Sequence, residues 1–291
     1  MKVKKNATIS HPPKVFISGV FEILQLFPTR TQNIIRERYN LEGSFLRGKT
    51  LEAIGKKYGI TRERVRQIIQ FAMKTAREHG IKSIDSAVEK IDEKLIQKGG
   101  IFAKKPLLSE LGVREYQEAG SVDFILDLSE HFKVLLPGRF TTYAVCKNDF
   151  DMKKFFHIVQ TAENVLSENK QPEYIEAFSK RLKEYIGEID MHHLESYLTA
   201  SANIDRNPLG EWGMNHWGEI QPKSAGQRAH LILRHKKQPM HFTAIAEEIN
   251  KLGLSFRKAN PQTVHNELIK SPLFTLFGRG VYGLSEWKGQ S

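Results

Sequence analysis

The sequence predicts a mainly α chain, with a helix-turn-helix head followed by tandem winged-helix (α+β) units. Three observations predict it. Residues 16–80 are helical in periodicity throughout. Residues 61–77 set a polar face against an apolar stripe. Three later stretches start helices near Ile84, Met152 and Gly226, a spacing of roughly 70 residues that asks for a structural repeat. The predicted parts are a basic arm (1–15), the head (16–80), a winged-helix-like unit (81–150), a second such unit (151–221) and a C-terminal winged-helix domain (222–291).

Composition narrows the function classes. Hydrophobic residues are 40% and charged residues 26% of the 291, a globular balance rather than a disordered or collagenous one. No apolar run reaches about 18 residues, so no membrane-spanning helix is predicted. The basic N-terminal stretch has no apolar core of signal-peptide length. A lone cysteine, Cys146, excludes internal disulfides and multi-cysteine zinc modules. A cytoplasmic protein at the nucleoid, with no cofactor, is expected.

Net charge is +11, and it is unevenly spread. Residues 1–80 hold 16 Lys/Arg against 6 Asp/Glu (+10), residues 81–150 hold 10 against 11 (−1), residues 151–220 hold 7 against 12 (−5), and residues 221–291 hold 11 against 4 (+7). Two basic ends flank an acidic middle, so a polyanion is attracted to the ends. Nucleic acid is the natural partner, and the motif in the head makes double-stranded DNA the expected one.

In the head, the informative segment is TLEAIGKKYGITRERVRQIIQFAMKTAREHG, residues 50–80. Thr50 can cap a short helix whose Leu51 and Ile54 face inward. Gly59 supplies the left-handed turn common at helix C-termini. Thr61 caps the next helix. At about 100° per residue, Val65, Ile68, Ile69, Ala72 and Ala76 form one stripe, with Glu63, Arg66, Gln67, Gln70 and Lys74 opposite. A helix, a Gly turn and a capped helix with a polar outer face make a helix-turn-helix. The second helix of such a unit enters the major groove with its N-terminal residues at base edges. Arg62 and Arg66 suit guanine O6/N7, Glu63 can accept from cytosine N4, and Gln67 can pair with adenine. A carboxylate among arginines also repels phosphate, which favours base contact over backbone contact. The bland alternative is a solvated helix with Glu63–Arg66 pairing.

LFPTRTQNIIRERYNL (residues 26–41) and TLEAIGKKYGITRERVRQI (residues 50–68) resemble region four of bacterial sigma factors of the sigma-seventy type. That resemblance implies that Arg62, Glu63, Arg66 and Gln67 read bases. It also implies that Thr50, Arg38 and Thr61 lie near phosphates, and that the domain can dock on the β flap of RNA polymerase. Only the short arm precedes this segment, and the parts of a sigma factor that melt DNA are missing. Initiation as a complete sigma factor is therefore not expected.

The first and last of the later stretches show helices before a hairpin, and the middle one ends in a segment that suits a distorted wing. In residues 84–147 a helix (IDSAVEKIDEKLIQKG) precedes helices near residues 107–111 and 122–131, then a hairpin, FKVLLPGRFTTYAV, turning at Pro137-Gly138. Residues 152–218 hold three helical segments and a Gly/Trp-rich end, NPLGEWGMNHW. In the last stretch, residues 226–234 form an amphipathic helix and His241-Phe242 suits a short strand. Thr243 caps a helix that stops at Gly253, Asn260-Pro261 starts a third, and a hairpin turns at Gly278-Arg279-Gly280. Residues 224–287 resemble the HARE-type winged helix found in the polymerase δ subunit. That resemblance implies DNA or polymerase contact. Candidate secondary DNA contacts are Gln262, His265, Asn266 and Lys270 on the third helix and Arg279 at the wing tip.

Other signals are weaker. GSFLRGKT (residues 43–50) fits a P-loop text, yet a helix precedes it where a strand is needed. It more plausibly links two helical pairs, with Arg47 and Lys49 near the DNA backbone. His192-His193 belong to no ligand pattern. Trp212 and Trp217 suit core packing, and Cys146 suits a buried thiol. Nothing predicts an enzyme. The competing function class is a polymerase-associated accessory factor that binds the polymerase rather than specific DNA.

Overall fold

The computed structural model describes residues 15–44, 47–79 and 82–288. Most of the predicted basic arm lies outside them, and Val15 already opens the first helix. The chain forms two compact units, one of residues 1–137 and 143–150, the other of residues 138–142 and 151–291. Among the described residues there are thirteen α-helices and nine short strands, and no helix is long and apolar enough to cross a membrane.

The first unit opens with four helices, α1 (Val15–Leu24), α2 (Thr29–Tyr39), α3 (Leu51–Tyr58) and α4 (Arg62–Glu78). A 3-10 turn at Lys82–Ile84 leads into α5 (Asp85–Gln97), β1 (Ile101–Ala103), α6 (Lys104–Glu110), α7 (Tyr116–Leu128), β2 (Phe132–Leu135) and β3 (Ala144–Lys147). The strands form an antiparallel sheet in the order β1-β3-β2. Val145 and Cys146 on the central strand are fully buried, and burial pushes the Cys146 thiol up to about 11. Its burial makes it a packing group of the sheet.

The head and the segment after it share one core. Buried side chains run from Phe16 through Ile34, Val65 and Ala76 to Phe124 and Val145 as one cluster. The joint is α7. Gly120, Ser121, Val122, Phe124, Ile125, Leu126 and Leu128 are all buried, more than one face of a helix, while Tyr116 and Asp127 stay exposed. It meets its own β2 as well as α1, α2 and α4. Gly120 lies so close to the Tyr39 carbonyl that a Cβ would collide with it. The Tyr39 ring meets Phe124 edge-on at 5.3 Å, and its hydroxyl donates to Asp127 Oδ2 at 2.8 Å. Burial, then the Asp127 charge, raises the Tyr39 phenol far above its ordinary value, so it stays a donor. The Arg77 guanidinium donates to the carbonyls of Leu128 and Asp127, both at 2.8 Å, which satisfies the C-terminal end of α7.

The second unit contains α8 (Met152–Asn169), β4 (Glu173–Tyr174), α9 (Ile175–Ile186), α10 (Met191–Ala200), β5 (Ile204–Arg206) and β6 (Glu211–Met214). It continues with α11 (Ala225–Lys236), β7 (Met240–His241), α12 (Phe242–Lys251), α13 (Pro261–Lys270), β8 (Phe274–Gly278) and β9 (Val281–Leu284). Its two sheets run β4-β6-β5 and β7-β9-β8. The order helix, strand, helix, helix, strand, strand therefore occurs three times in the chain, each time with the last strand in the middle of its sheet. The third helices of the two copies in this unit differ in exposure. In α10, Leu194, Ser196, Tyr197, Leu198 and Ala200 are buried. The Thr142 amide donates to the Ala200 carbonyl at 2.9 Å, and Thr141 bridges to Ser201. In α13 only Val264 and Leu268 are buried.

Several local expectations shift. The helix expected near residues 122–131 spans Tyr116–Leu128, because Glu115 and Glu118 form a capping box ahead of it. His241, not Thr243, caps α12, its ring nitrogen accepting from the Thr243 amide at 3.4 Å. The short strand there is Met240–His241, one residue earlier than expected. The expected hairpin is present, with β2 and β3 paired antiparallel, but its connection is longer than a turn at Pro137-Gly138 alone. The connection spans residues 136–143, part of which belongs to the second unit. Strands β1 and β4 have too few residues to show alternation and are absent from the sequence expectations.

Two stability outcomes follow. Gly120→Val should lower stability by ~1–3 kcal/mol through forced separation of α7 from α2. Calorimetry would read this as a fall in Tm, and an unchanged Tm would remove the close contact from the account. In α11 the Ser224 hydroxyl accepts from the Gln227 amide at 3.1 Å and the Gln227 side chain accepts from the Ser224 amide at 3.2 Å. Ser224→Ala should cost ~1 kcal/mol in urea unfolding, with Ser224→Thr retaining most of it.

Candidate nucleic-acid interface

The site is built from local signals upward. The Thr50 hydroxyl accepts from the Ala53 amide at 3.2 Å and caps α3. Gly59 ends that helix at φ 66°, a left-handed conformation that costs glycine little. The Thr61 hydroxyl then accepts from the Arg64 amide at 3.1 Å and caps α4. Val65, Ile69, Ala72, Met73 and Ala76 are buried, while Ile68 is half-buried. The expected stripe is present, with Met73 added to it.

The opposite face is open. Arg62, Glu63, Arg64, Arg66, Gln67, Gln70 and Lys74 are exposed, as are Thr50 and Thr61. The polar residues there are linked. Arg66 forks onto Glu63 at 2.9 and 2.6 Å and also donates to Gln70 at 2.9 Å. Gln67 reaches Glu63 at 3.5 Å and accepts from Arg64 at 3.3 Å. The Arg66 hydrogen bonds hold the Glu63 carboxyl below its ordinary range, so it stays an acceptor. A pair in open water exchanges partners readily. The face thus offers cationic forks, one carboxylate and amides, the groups that match base edges. Lys74 lies 3.8 Å from Glu78.

Other cations that look free in the sequence are engaged. Arg38 is half-buried and donates to the Lys49 carbonyl at 3.2 Å, tying α2 to the segment before α3. Lys49 sits 2.9 Å from Glu37, Lys57 pairs with the same carboxylate, and the Tyr58 hydroxyl donates to it at 3.3 Å. Burial raises Glu37, but the hydrogen bonds from Lys57 and Lys49 outweigh it and leave the carboxyl low. A Cβ at Gly48 would strike the Arg38 carbonyl, so packing explains that glycine of the P-loop-like text. Residues 45–46 of that text lie outside the described residues, and Arg47 is exposed.

On α13, Gln262, Asn266 and Lys270 are exposed, as is Arg279 in the β8–β9 turn. Gln262 donates to Asn266 at 3.3 Å. His265 is placed differently. It is half-buried and stacks on Phe242 at 4.4 Å, with Tyr282 edge-on at 5.6 Å, so it packs α13 against its neighbours. Sequence reasoning passed over Phe71, which is 70% exposed on the outer face of α4. Its position four residues after Gln67, off the apolar stripe, was the available signal.

No curated protein and no solved structure matches the chain. Residues 23–78, the span from the end of α1 through α4, match the family model described as Sigma-70, region 4, which supports a DNA-binding helix-turn-helix of transcription in this part of the chain.

Proposed function

We propose that the protein is a sequence-specific DNA-binding transcription regulator that reads promoter-type duplex through α4 and acts with RNA polymerase. One observation carries this reading: the outer face of α4 is open while its inner face is locked into the core. The N-terminal turns of α4 enter the major groove. Arg62 and Arg66 take guanine O6/N7, Glu63 accepts from cytosine N4 and Gln67 pairs with adenine. The Thr50 and Thr61 hydroxyls, already accepting from helix amides, still have a proton to donate to phosphate at the helix N-termini. Gln70 and Lys74 lie further along the same face, at the groove rim.

In this reading the three repeated folds are winged-helix units with different tasks. The first buries its third helix, α7, against the head, and the second buries most of α10, so neither offers that helix to a duplex. The last, HARE-like unit keeps α13 open, and Gln262, Asn266, Lys270 and Arg279 give it a secondary, largely phosphate-directed contact. Docking on the polymerase β flap follows the family resemblance of the head, and the protein works in the cytoplasm at the nucleoid.

The full chain should enrich one motif from a random duplex pool at stated salt. Glu63→Ala and Arg66→Ala should each relax one position of that motif, by roughly tenfold in discrimination. Lys270→Ala and Arg279→Ala should weaken all sequences alike and reduce the salt slope by about one contact each. A pool that stays random while the chain still binds polymerase would replace this reading with that of an accessory factor.

A further inference from the structure

Glu63, Gln67 and Phe71 follow one another at intervals of four, so they stand in one row on the outer face of α4, about 6 Å apart along the axis. The first two are polar and reach each other. The third is a phenyl ring, 70% exposed. It takes no part in the inward stripe, which Val65, Ile69, Ala72, Met73 and Ala76 fill. Exposed cations stand on the same helix, Lys74 three residues further along and Arg64 seven residues back.

We propose that Phe71 is a specificity-determining residue that packs its ring on the C5-methyl of a thymine within two base steps of the base read by Gln67. The inference rests on α4 being the groove-entering helix. A rise of about 6 Å along the helix corresponds to roughly two steps of duplex at 3.4 Å each, so a helix that puts Gln67 on a base edge brings residue 71 to a nearby pair. The thymine methyl is the apolar group displayed in the major groove, and phenylalanine is one of the side chains that contact it. The surrounding charge selects the occupant. The first 80 residues carry 16 Lys/Arg against 6 Asp/Glu, and a polyanion is drawn to such a surface. The face then reads three chemistries in one row: an acceptor for cytosine, an amide for adenine and a ring for thymine.

The test uses the full chain and the motif enriched from a random duplex pool. Each thymine of that motif is replaced in turn by deoxyuridine, which removes only the methyl, and affinity is measured by fluorescence anisotropy for the wild type, Phe71→Ala and Phe71→Leu. The wild type should lose about fourfold at one thymine, the worth of one methyl-sized group leaving water. Phe71→Ala should be indifferent to that replacement, and Phe71→Leu should keep part of the response. Because Phe71 is outside the core, unchanged circular dichroism is expected of both variants. An enriched motif with a flat deoxyuridine scan, or with equal losses in the wild type and Phe71→Ala, overturns the thymine contact alone. A pool that yields no motif overturns the base-reading function and this inference together.

Discussion

The close approach of Gly120 to the Tyr39 carbonyl is the contact on which the first unit depends. It lets α7 lie flat against α2, which brings Phe124 under the Tyr39 ring and Asp127 to its hydroxyl. Once α7 is there, its C-terminal carbonyls need a donor, and Arg77 supplies it from the last turn of α4. The consequence is mechanical. The 17-residue α4 is clamped along its inner stripe and at its far end, while the first turns remain open to solvent. A helix that must present side chains to a rigid ligand benefits from this arrangement, since positioning comes from the scaffold and chemistry from the free face.

Electrostatics divides the head in the same way. Glu37 collects Lys49, Lys57 and the Tyr58 hydroxyl, so these groups hold α2, the segment before α3 and the end of α3 together. Arg38 and Arg77 likewise serve backbone carbonyls. On the outer face of α4 the same residue types pair only with each other and stay in water, where exchange for another partner is inexpensive. A raw count of cations therefore overstates the surface available to a polyanion, although the open remainder is still basic.

Much of the head was legible in the sequence because its signals are local. Thr50, Gly59 and Thr61 act within four residues of themselves, and the α4 stripe repeats within one helix. The repeated order of later elements was also visible, through the hairpin of Phe274 and Val281 and the Asn260-Pro261 helix start. Strands β1 and β4 were not, because a pattern of period two needs more residues to appear. The start of α7 was missed because its capping residues, Glu115 and Glu118, are carboxylates in a run of charged residues that reads as loop.

Periodicity and capping by themselves determined that α4 is a helix with one polar face and named the polar residues on it, though not the exposed Phe71 among them. Only the tertiary structure decided which helices keep an open face. The third helices of the repeats are α7, α10 and α13, each with apolar residues enough to pack. Two of them are covered and one is not, because burial is set by what the rest of the chain lays against a helix, a property its own residues do not encode.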